Sequence, residues 1–512
     1  MSDQEHRLEA DFVVVGAGTA GCVIAARLSE NPDNRVVLLE AGPVDGPEMM
    51  AIPSAFAALS GTTVDWAFRS EPQSALDGAV LAYPRGRVLG GSSSINAMAH
   101  IRAHRSSYDD WVRAGASGWG YDDLLPYFRR SERTDGPNSR WRGVDGPMQV
   151  AVSAQTGPFT LALRDAVVGA GIPFSNDLNG PDAEGAGWLE RNIVDGVRQS
   201  AADAYIRPVL ADRPNLTVIA GALARRLLVS GERCRGVEYS AGRQMYRVEA
   251  GREVIVSAGA IGSPHLLLLS GIGPEADLRG HRIPVVVDLP GVGDNLQDHA
   301  IADVVYSATK PLVHDGDVER SLTVMMRSDA DIGYPDVQLL CWTFPSCPPT
   351  VRPPELGYTL GVVVGRPRSR GRIRLASDQA DTPPLIDPRF LSDPHDVQVL
   401  LTGLRRAREI GSAAELDEWR DTEFRPGPDV REPEQWQEYL CDDTHSARHP
   451  AGTCRIGDDD GAVVDTVLRV RGISGLRVAD ASVMPSMVGA NINATVLAIA
   501  ERAAELIGSA AG

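Results

Sequence analysis

Near the start of the chain, a short apolar run leads directly into a glycine-rich turn. Residues 12–15 (FVVV) are followed by Gly16, Gly18 and Gly21, spaced G-x-G-x-x-G, and then by a helical pattern over 22–28. In a β-α-β unit the first glycine allows the tight turn, the second lets the backbone approach a pyrophosphate, and the third lets helix and strand pack closely. The helix N-terminus offers free N–H groups to the phosphates. The sequence therefore predicts a dinucleotide site, although the motif alone also fits an ordinary β-α-β turn.

A carboxylate follows the second predicted strand. Residues 35–39 form this strand, and Glu40 comes 19 residues after Gly21. A carboxylate at this distance from the glycine turn can accept hydrogen bonds from ribose hydroxyls. Because its charge repels a 2′-phosphate, Glu40 argues against NADP. These residues do not distinguish NAD from FAD.

Composition and charge exclude several classes of protein. The 512 residues are 43% hydrophobic and 23% charged, which is typical of a globular chain rather than a disordered or fibrous one. The net charge of −18 at pH 7 repels a phosphate backbone, which excludes nucleic acid as a main partner. The six cysteines form no C-x-x-C pair, which indicates reduced thiols. A charged N-terminus and short apolar runs predict a soluble cytoplasmic protein without a membrane partner.

The pattern of strands and helices changes along the chain. Short apolar strands alternate with helical segments near the N-terminus, around 253–270 and over 476–507, which predicts a parallel sheet. Short alternating runs separated by Pro and Gly occupy 301–310, 335–343, 357–365 and 371–376, before a helical pattern over 395–410. Their alternation predicts an antiparallel sheet with one face toward solvent or a ligand. The expected fold class is α/β, with a second domain inserted into the first.

Four further segments carry distinctive patterns of glycine, serine, histidine and asparagine. They are 85–97 (RGRVLGGSSSINA), 259–274 (GAIGSPHLLLLSGIGP), 449–455 (HPAGTCR) and 480–494 (DASVMPSMVGANINA). In this order they resemble the signature segments of the GMC (glucose–methanol–choline) oxidoreductases, a family of FAD enzymes. Segments 200–205 and 291–299 are also similar to the family, and the resemblance covers nearly the whole chain.

The resemblance implies a Rossmann-like FAD-binding domain with an inserted substrate domain, built on an antiparallel sheet with flanking helices. The FAD-binding domain is expected to be discontinuous, comprising 1–155, 190–300 and 440–512. The substrate-binding domain is expected to comprise 156–189 and 301–439.

The resemblance also implies which residues hold FAD. It places the backbone of Ala224 at the adenine, and Asn96 with its neighbours beside the isoalloxazine and the pyrophosphate. Some family members attach FAD through a histidine at the position of Ile95; because isoleucine has no nucleophile, we expect non-covalent FAD. The expected FAD-binding residues are Gly16, Gly18, Thr19, Ala20, Gly21, Glu40, Ala41, Val88, Gly90, Gly91, Asn96, Ala97, Met98, Ala224, Asp480, Ala481, Asn491 and Ile492.

Two residues match the family's catalytic positions. The resemblance implies that His449 takes the hydroxyl proton of an alcohol while the carbon hydride passes to flavin N5, and that Asn493 orients the substrate oxygen. Imidazole suits proton transfer because its unperturbed pKa is about 6.5. Asn493 precedes a predicted helix, so helix capping is the alternative role for it and for Asn491. His445 and His449 lack the H-E-x-x-H pattern, and no metal is expected.

The residue before the expected catalytic histidine departs from the family, where this position is commonly aromatic or apolar. It is Arg448, which either faces the substrate and binds an anionic or polar group, or pairs with Asp442 or Asp443. Ala447 and Trp342 are the other expected pocket residues. The insert shows no cluster of aromatic residues and carboxylates that would bind choline. The pattern is closest to aryl-alcohol and hydroxymethylfurfural-type oxidases and related dehydrogenases.

The resemblance implies oxidation of a primary or secondary alcohol to an aldehyde or ketone. Electrons would pass from FAD to O2 or to another acceptor, so both an oxidase and a dehydrogenase of class EC 1.1 are open. The expected partners are a small-molecule alcohol and the electron acceptor. The alternative is a lyase of the same fold, similar to hydroxynitrile lyases, in which FAD is bound but redox-idle.

Overall fold

The computed structural model describes residues 7–135, 140–181, 183–313 and 320–509. The ends of the expected FAD-binding domain, 1–6 and 510–512, lie outside these ranges. The α-helices are α1 (Thr19–Leu28), α2 (Ser106–Arg113), α3 (Tyr121–Ser131), α4 (Pro158–Gly169), α5 (Gly259–Leu269), α6 (Glu275–Gly280), α7 (Pro394–Gly411), α8 (Pro433–Asp443) and α9 (Asn493–Ser509).

Two seven-stranded sheets organise the chain. Their strands, in chain order, are β1 (Arg7–Val15), β2 (Val36–Leu39), β3 (Gly185–Trp188), β4 (Leu216–Ile219), β5 (Ala222–Ser230), β6 (Arg233–Ala241), β7 (Gln244–Val256), β8 (Ala300–Ala308), β9 (Leu322–Met326), β10 (Val337–Trp342), β11 (Gly357–Val364), β12 (Arg420–Arg425), β13 (His445–Ser446) and β14 (Leu476–Val478). Short paired strands are Phe68–Arg69 with Ala82–Tyr83, Ala99–His100 with Glu190–Arg191, Glu132–Thr134 with Met148–Val150, Ile193–Val194 with Val197–Arg198, and Ile272–Gly273 with Val287–Asp288.

The first sheet has a parallel core, as the sequence predicts. Its order is β4-β2-β1-β7, with β14 beside β7, and all these pairs are parallel. The apolar run at the end of β1 is buried on both faces, which is typical of a sheet covered by helices. Val15 pairs with Leu39, so the ends of β1 and β2 lie side by side. The glycine turn and Glu40 therefore leave the sheet at the same edge.

The strand predicted near 253–257 is the end of a longer one. β7 spans 13 residues, and its first half pairs with β6 in a hairpin that β5 extends. This first half carries charged residues and is partly exposed, which hides its strand pattern in the sequence. The antiparallel extension brings Ala224 of β5 to the edge of the sheet where the glycine turn and Glu40 lie.

The second sheet is antiparallel, as the sequence predicts. Its order is β12-β8-β11-β10-β9-β3, with β13 beside β8. α7 packs against β11, which is buried along its whole length. Residues 371–376 were expected in this sheet, but Gly371–Arg374 forms a separate three-stranded sheet with Asp294–Leu296 and Leu385–Asp387. Pro367 follows β11 and cannot donate a ladder hydrogen bond, so the chain leaves the sheet there.

We propose that the two domains follow the two sheets. β3 belongs to the second sheet, in line with the expected boundary at 189. β13 also belongs to the second sheet, although 440–512 was expected in the FAD-binding domain. In this proposal the last boundary moves from 440 to after Ser446, three residues before His449.

Candidate active site

A cavity of about 700 Å³ connects the two sheets. Val15 and Leu39 line it from the ends of β1 and β2, and Ile301 and Leu340 line it from the second sheet. The first end, next to the glycine turn, is called the nucleotide end below. The second end, beside His449, is called the histidine end.

Three glycines shape the nucleotide end. Gly16 has a φ of +96°, and a Cβ there would lie 2.7 Å from the carbonyl oxygen of Ser257. A Cβ on Gly21 would lie 1.8 Å from the carbonyl oxygen of Gly16, so a side chain there would push α1 away from the turn. A Cβ on Gly18 would meet no atom within 4 Å, and Gly18 lines the cavity. This is the close backbone approach that a pyrophosphate requires.

Glu40 is buried at the nucleotide end. Its Oε2 accepts the N–H of Ala17 at 3.0 Å, and its Oε1 accepts the N–H of Gly42 at 2.8 Å. Burial raises the pKa of Glu40 to about 7, and these backbone hydrogen bonds oppose the rise. Each oxygen keeps a second lone pair that can accept a ribose hydroxyl. Glu40 therefore both holds the turn and lines the cavity.

Most of the expected FAD-binding residues line the cavity, but four lie behind its wall. Val88 is fully buried in a small apolar cluster with Leu59 and Val64. Gly90 donates its N–H to the carbonyl oxygen of Ala17 at 2.8 Å, which supports the glycine turn from below. The four that do not line the cavity are Gly21, Val88, Gly90 and Met98. Those that do are Gly16, Gly18, Thr19, Ala20, Glu40, Ala41, Gly91, Asn96, Ala97, Ala224, Asp480, Ala481, Asn491 and Ile492.

The structure places Asn491, and not Asn493, beside the expected catalytic histidine. Asn493 begins α9 and accepts the hydroxyl of Thr19 at 2.9 Å, which ties its side chain to α1 and the nucleotide end. Asn491 instead lies beside His449, with its Nδ2 3.3 Å from the Nε2 of His449. The partner of the histidine is therefore Asn491.

His449 faces a second histidine that the sequence analysis did not select. The Nδ1 atoms of His449 and His299 are 2.9 Å apart. The Nε2 of His299 lies 3.0 Å from the carbonyl oxygens of both Gly365 and Val488. Because carbonyl oxygens only accept, this Nε2 carries the proton and the Nδ1 of His299 is an acceptor. His449 therefore donates from Nδ1, and its Nε2 holds a lone pair.

Both imidazoles are held in the neutral form. Burial lowers the pKa of His299 to about 4. Burial also lowers the pKa of His449 well below its usual range, and His299 and the positive charges of Arg85 and Arg448 act in the same direction. At neutral pH the Nε2 of His449 is thus free to accept a proton.

Asp298 holds the two histidine segments together. Its Oδ1 accepts the backbone N–H groups of His299 and His449, each at 2.8 Å. Its Oδ2 accepts the hydroxyls of Tyr83 and Ser446. Burial raises the pKa of Asp298, while hydrogen bonds from Ser446, Tyr83 and the His449 backbone lower it. One carboxylate thus joins three segments that are far apart in the chain.

The side chain of Asn491 is oriented from the second sheet. Gln338 of β10 donates its Nε2–H groups to the Oδ1 of Asn491 at 3.0 Å and to the hydroxyl oxygen of Thr323 at 3.2 Å. Thr323 can accept because its own hydroxyl donates to the carbonyl oxygen of Leu339 at 2.9 Å. With Oδ1 held by Gln338, the Nδ2 donor of Asn491 points to His449.

Arg448 lines the histidine end of the cavity. The alternative pairing with Asp442 or Asp443 is wrong, because both carboxylates pair with Arg425, each at 2.9 Å. The expected pocket residues that line the cavity are Arg448, Ala447 and Trp342.

Possible ligand atoms of Asp303, Asp443 and His445 lie within 4.8 Å of one another. Asp443 already binds Arg425, whose positive charge opposes a cation there. The expectation that the chain holds no metal stays a prediction.

Comparison with known proteins shows the family of this chain. Two family models, both described as GMC oxidoreductase, match residues 10–301 and 367–500. The chain belongs to the GMC oxidoreductases. Human mitochondrial choline dehydrogenase is 40% identical over an alignment of 542 positions, which covers 98% of this chain and 90% of that protein. The oxygen-dependent choline dehydrogenase of Brucella anthropi is 37% identical, covering 98% and 96%.

Solved structures agree with the family. Pyridoxine 4-oxidase from Mesorbium loti has a TM-score of 0.94 and 34% identity, covering 97% of this chain and 98% of that one. Formate oxidase from Aspergillus oryzae RIB40 has a TM-score of 0.90 and 26% identity over 99% of both chains. A fungal aryl-alcohol oxidase has a TM-score of 0.85 and 25% identity, covering 98% and 99%. The α/β fold expected from the sequence is confirmed.

This GMC oxidoreductase is an FAD-dependent alcohol oxidoreductase. The proteins named above are dehydrogenases and oxidases, and they give no support to the lyase interpretation. An aryl-alcohol oxidase is among the similar structures, but the choline dehydrogenases are more similar in sequence. Within the described ranges, none of the helices combines the length and the apolar character needed to cross a bilayer.

The residues present fit FAD. The space beside Gly18 suits the pyrophosphate at the N-terminus of α1. The Nδ2 of Asn493 has no hydrogen-bond partner among the described residues, so it offers a donor that a polar cofactor atom can use. Ile95 is mostly buried and carries no nucleophile, which fits non-covalent binding.

A matched pair of glycine variants tests the nucleotide end. Gly18→Ala should keep the melting temperature of the apoprotein, because its Cβ meets open space, but should weaken FAD binding about tenfold, or ~1.4 kcal/mol. Gly21→Ala should lower the melting temperature, because its Cβ overlaps the carbonyl of Gly16. The measurements are thermal unfolding of the apoproteins, FAD titration, and flavin released by acid precipitation. Unchanged FAD affinity in Gly18→Ala, or flavin retained in the acid pellet, would contradict the assignment.

Proposed function

We propose that His449 and Asn491 form the catalytic pair for alcohol oxidation, with FAD bound non-covalently. The observation that carries this proposal is the position of His449 in the cavity, where its Nδ1 lies 2.9 Å from the Nδ1 of His299 and its Nε2 lies 3.3 Å from the amide Nδ2 of Asn491. Bound FAD supplies the oxidising chemistry, because flavin N5 can accept a hydride from the alcohol carbon.

The two side chains have complementary tasks. The Nδ2–H of Asn491 can donate to the alcohol oxygen, while the Nε2 of His449 accepts the hydroxyl proton. The charge that develops on the oxygen is then stabilised by a donor that is already in place. Asp298 and His299 act as positioning residues, because they hold the backbone and the ring of His449.

The electron acceptor and the location in the cell stay predictions. O2 and another acceptor are both compatible with the proposed chemistry, and oxygen consumption during turnover separates them. A cytoplasmic enzyme without a membrane partner is what the sequence predicts; a human relative is mitochondrial by name.

Replacing the base tests the proposal directly. His449→Gln should lower kcat by about 10²- to 10⁴-fold, since general-base catalysis is lost, while FAD stays bound. His281→Gln serves as the control, because His281 lies outside the cavity lining and its imidazole bonds to the backbone carbonyl of Asp277. In the wild type, kcat/KM should stay level as the pH falls through about 6.5, the ordinary pKa of imidazole, because the lowered pKa keeps His449 unprotonated. Wild-type activity in His449→Gln, or an acid limb near 6.5 that depends on His449, would contradict the assignment.

Gln338 gives a second test, through the orientation of Asn491. In Gln338→Glu the ionised carboxylate can only accept, so it cannot hold the Oδ1 of Asn491; we expect kcat/KM to fall about tenfold, or ~1.4 kcal/mol. Lowering the pH protonates the new carboxyl group and restores a donor, so activity should recover. Gln338→Met should be impaired at every pH. A loss in Gln338→Glu that does not change with pH would leave Gln338 with only a packing role.

A further inference from the structure

We infer that the alcohol oxidised by this enzyme carries an anionic group on a flat, aromatic body, and that Arg448 binds the anion. The inference rests on the proposed function, because Arg448 directly precedes the proposed base His449. It names a substrate class opposite in charge to choline, the substrate in the printed names of two relatives.

The backbone holds Arg448 in an unusual conformation. Its φ is +69°, which is uncommon for a residue other than glycine. The N–H of Arg448 donates to the hydroxyl of Ser446 at 2.8 Å, and its carbonyl oxygen accepts from the Nη2 of Arg85 at 2.8 Å. Ser446 is itself bound to Asp298, which holds His449. The same hydrogen bonds therefore hold the base and set the backbone from which the guanidinium projects.

The carboxylates near Arg448 are committed to other partners. The oxygens of Asp65 accept the backbone N–H groups of Gly61, Ala67 and Arg85 at 2.8 to 3.0 Å. In the part of the chain that the structure describes, no ion pair within 4.0 Å joins Arg448 to a carboxylate. Desolvation lowers the pKa of Arg448 and the nearby charge of Asp65 opposes this shift, while the residue stays exposed to solvent. An anionic substrate would give the guanidinium a direct ion-pair partner.

The acidic residues of the cavity lining are not available to bind a cation. Asp381 pairs with Arg225. Glu40 and Asp480 lie at the nucleotide end and accept backbone N–H groups. Asp480 accepts the N–H of Gly259 at 2.8 Å. The fixed charge at the histidine end of the described cavity is therefore positive, and a quaternary ammonium group would be repelled.

Aromatic side chains line the same cavity. Trp342 and Phe344 stack with ring centroids 5.8 Å apart and an angle of 11° between their planes, and Phe56 lies 6.4 Å from Phe344. Such a surface holds a flat apolar body, and on its own it would also suit a quaternary ammonium group. The guanidinium decides between the two, since it adds a fork of donors that matches a carboxylate.

Alcohols of matched shape and different charge test the inference on the holoenzyme. The probes are 4-(hydroxymethyl)benzoate, 4-methylbenzyl alcohol and 4-(hydroxymethyl)benzyl-trimethylammonium, assayed under argon with an artificial electron acceptor. We expect kcat/KM to be at least about tenfold higher for the carboxylate than for the neutral alcohol, and lowest for the cation. Arg448→Met should abolish the preference, and Arg448→Lys should retain part of it. Arg389→Met, on an exposed arginine paired with Asp387, is the control.

A binding measurement separates this inference from the proposed function. Calorimetry with benzoate, which cannot be oxidised, should show binding to the wild-type holoenzyme that Arg448→Met abolishes at unchanged flavin content and melting temperature. Equal or better use of the neutral or cationic alcohol, with the same ratio in Arg448→Met, would overturn the inference and leave the proposed function standing. Full activity in His449→Gln would overturn the proposed function, while benzoate binding would still decide the role of Arg448.

Discussion

The two backbone carbonyls that face the Nε2 of His299 determine the chemistry of the site. They leave His299 only one neutral tautomer, and this makes the Nδ1 of His299 an acceptor for the Nδ1–H of His449. The hydrogen-bond direction is then set as far as the Nε2 of His449. A second series of hydrogen bonds, from the carbonyl of Leu339 through Thr323 and Gln338, fixes the orientation of the Asn491 amide from the opposite side. Both series of hydrogen bonds start at peptide carbonyls, which can only accept a hydrogen bond.

The fold brings these two series of hydrogen bonds together at one place. His299 precedes β8 of the second sheet, and Gln338 lies in β10 of the same sheet. Asn491 precedes α9, which packs against α1 and α3. Asp298 joins the histidine segments to Tyr83, which lies in the short strand Ala82–Tyr83 just before the segment 85–97. The proposed catalytic pair therefore forms where the two sheets meet, at the cavity that would hold FAD.

The local sequence was enough to predict the turn at the nucleotide end. The glycine turn and Glu40 depend on residues close in the chain, so the expected geometry followed from spacing alone. The histidine end depends on contacts across 42 to 150 residues, such as those of His449 with Asn491 and His299. His299 closed a segment that resembled the family and could have been selected there; Gln338 lies in an ordinary strand and carries no signal. Asn491 and Asn493 are only two residues apart, where the chain enters α9. The sequence therefore does not show which of the two side chains faces His449.

The most direct measurement is nitrogen NMR of the holoenzyme with ¹⁵N-labelled histidine at neutral pH. The account predicts a neutral His449 protonated at Nδ1 and a neutral His299 protonated at Nε2, with the signals of His449 identified by their loss in His449→Gln. A His449 that carries its proton on Nε2, or on both nitrogens, would contradict the account, because no lone pair would then be available for the alcohol proton.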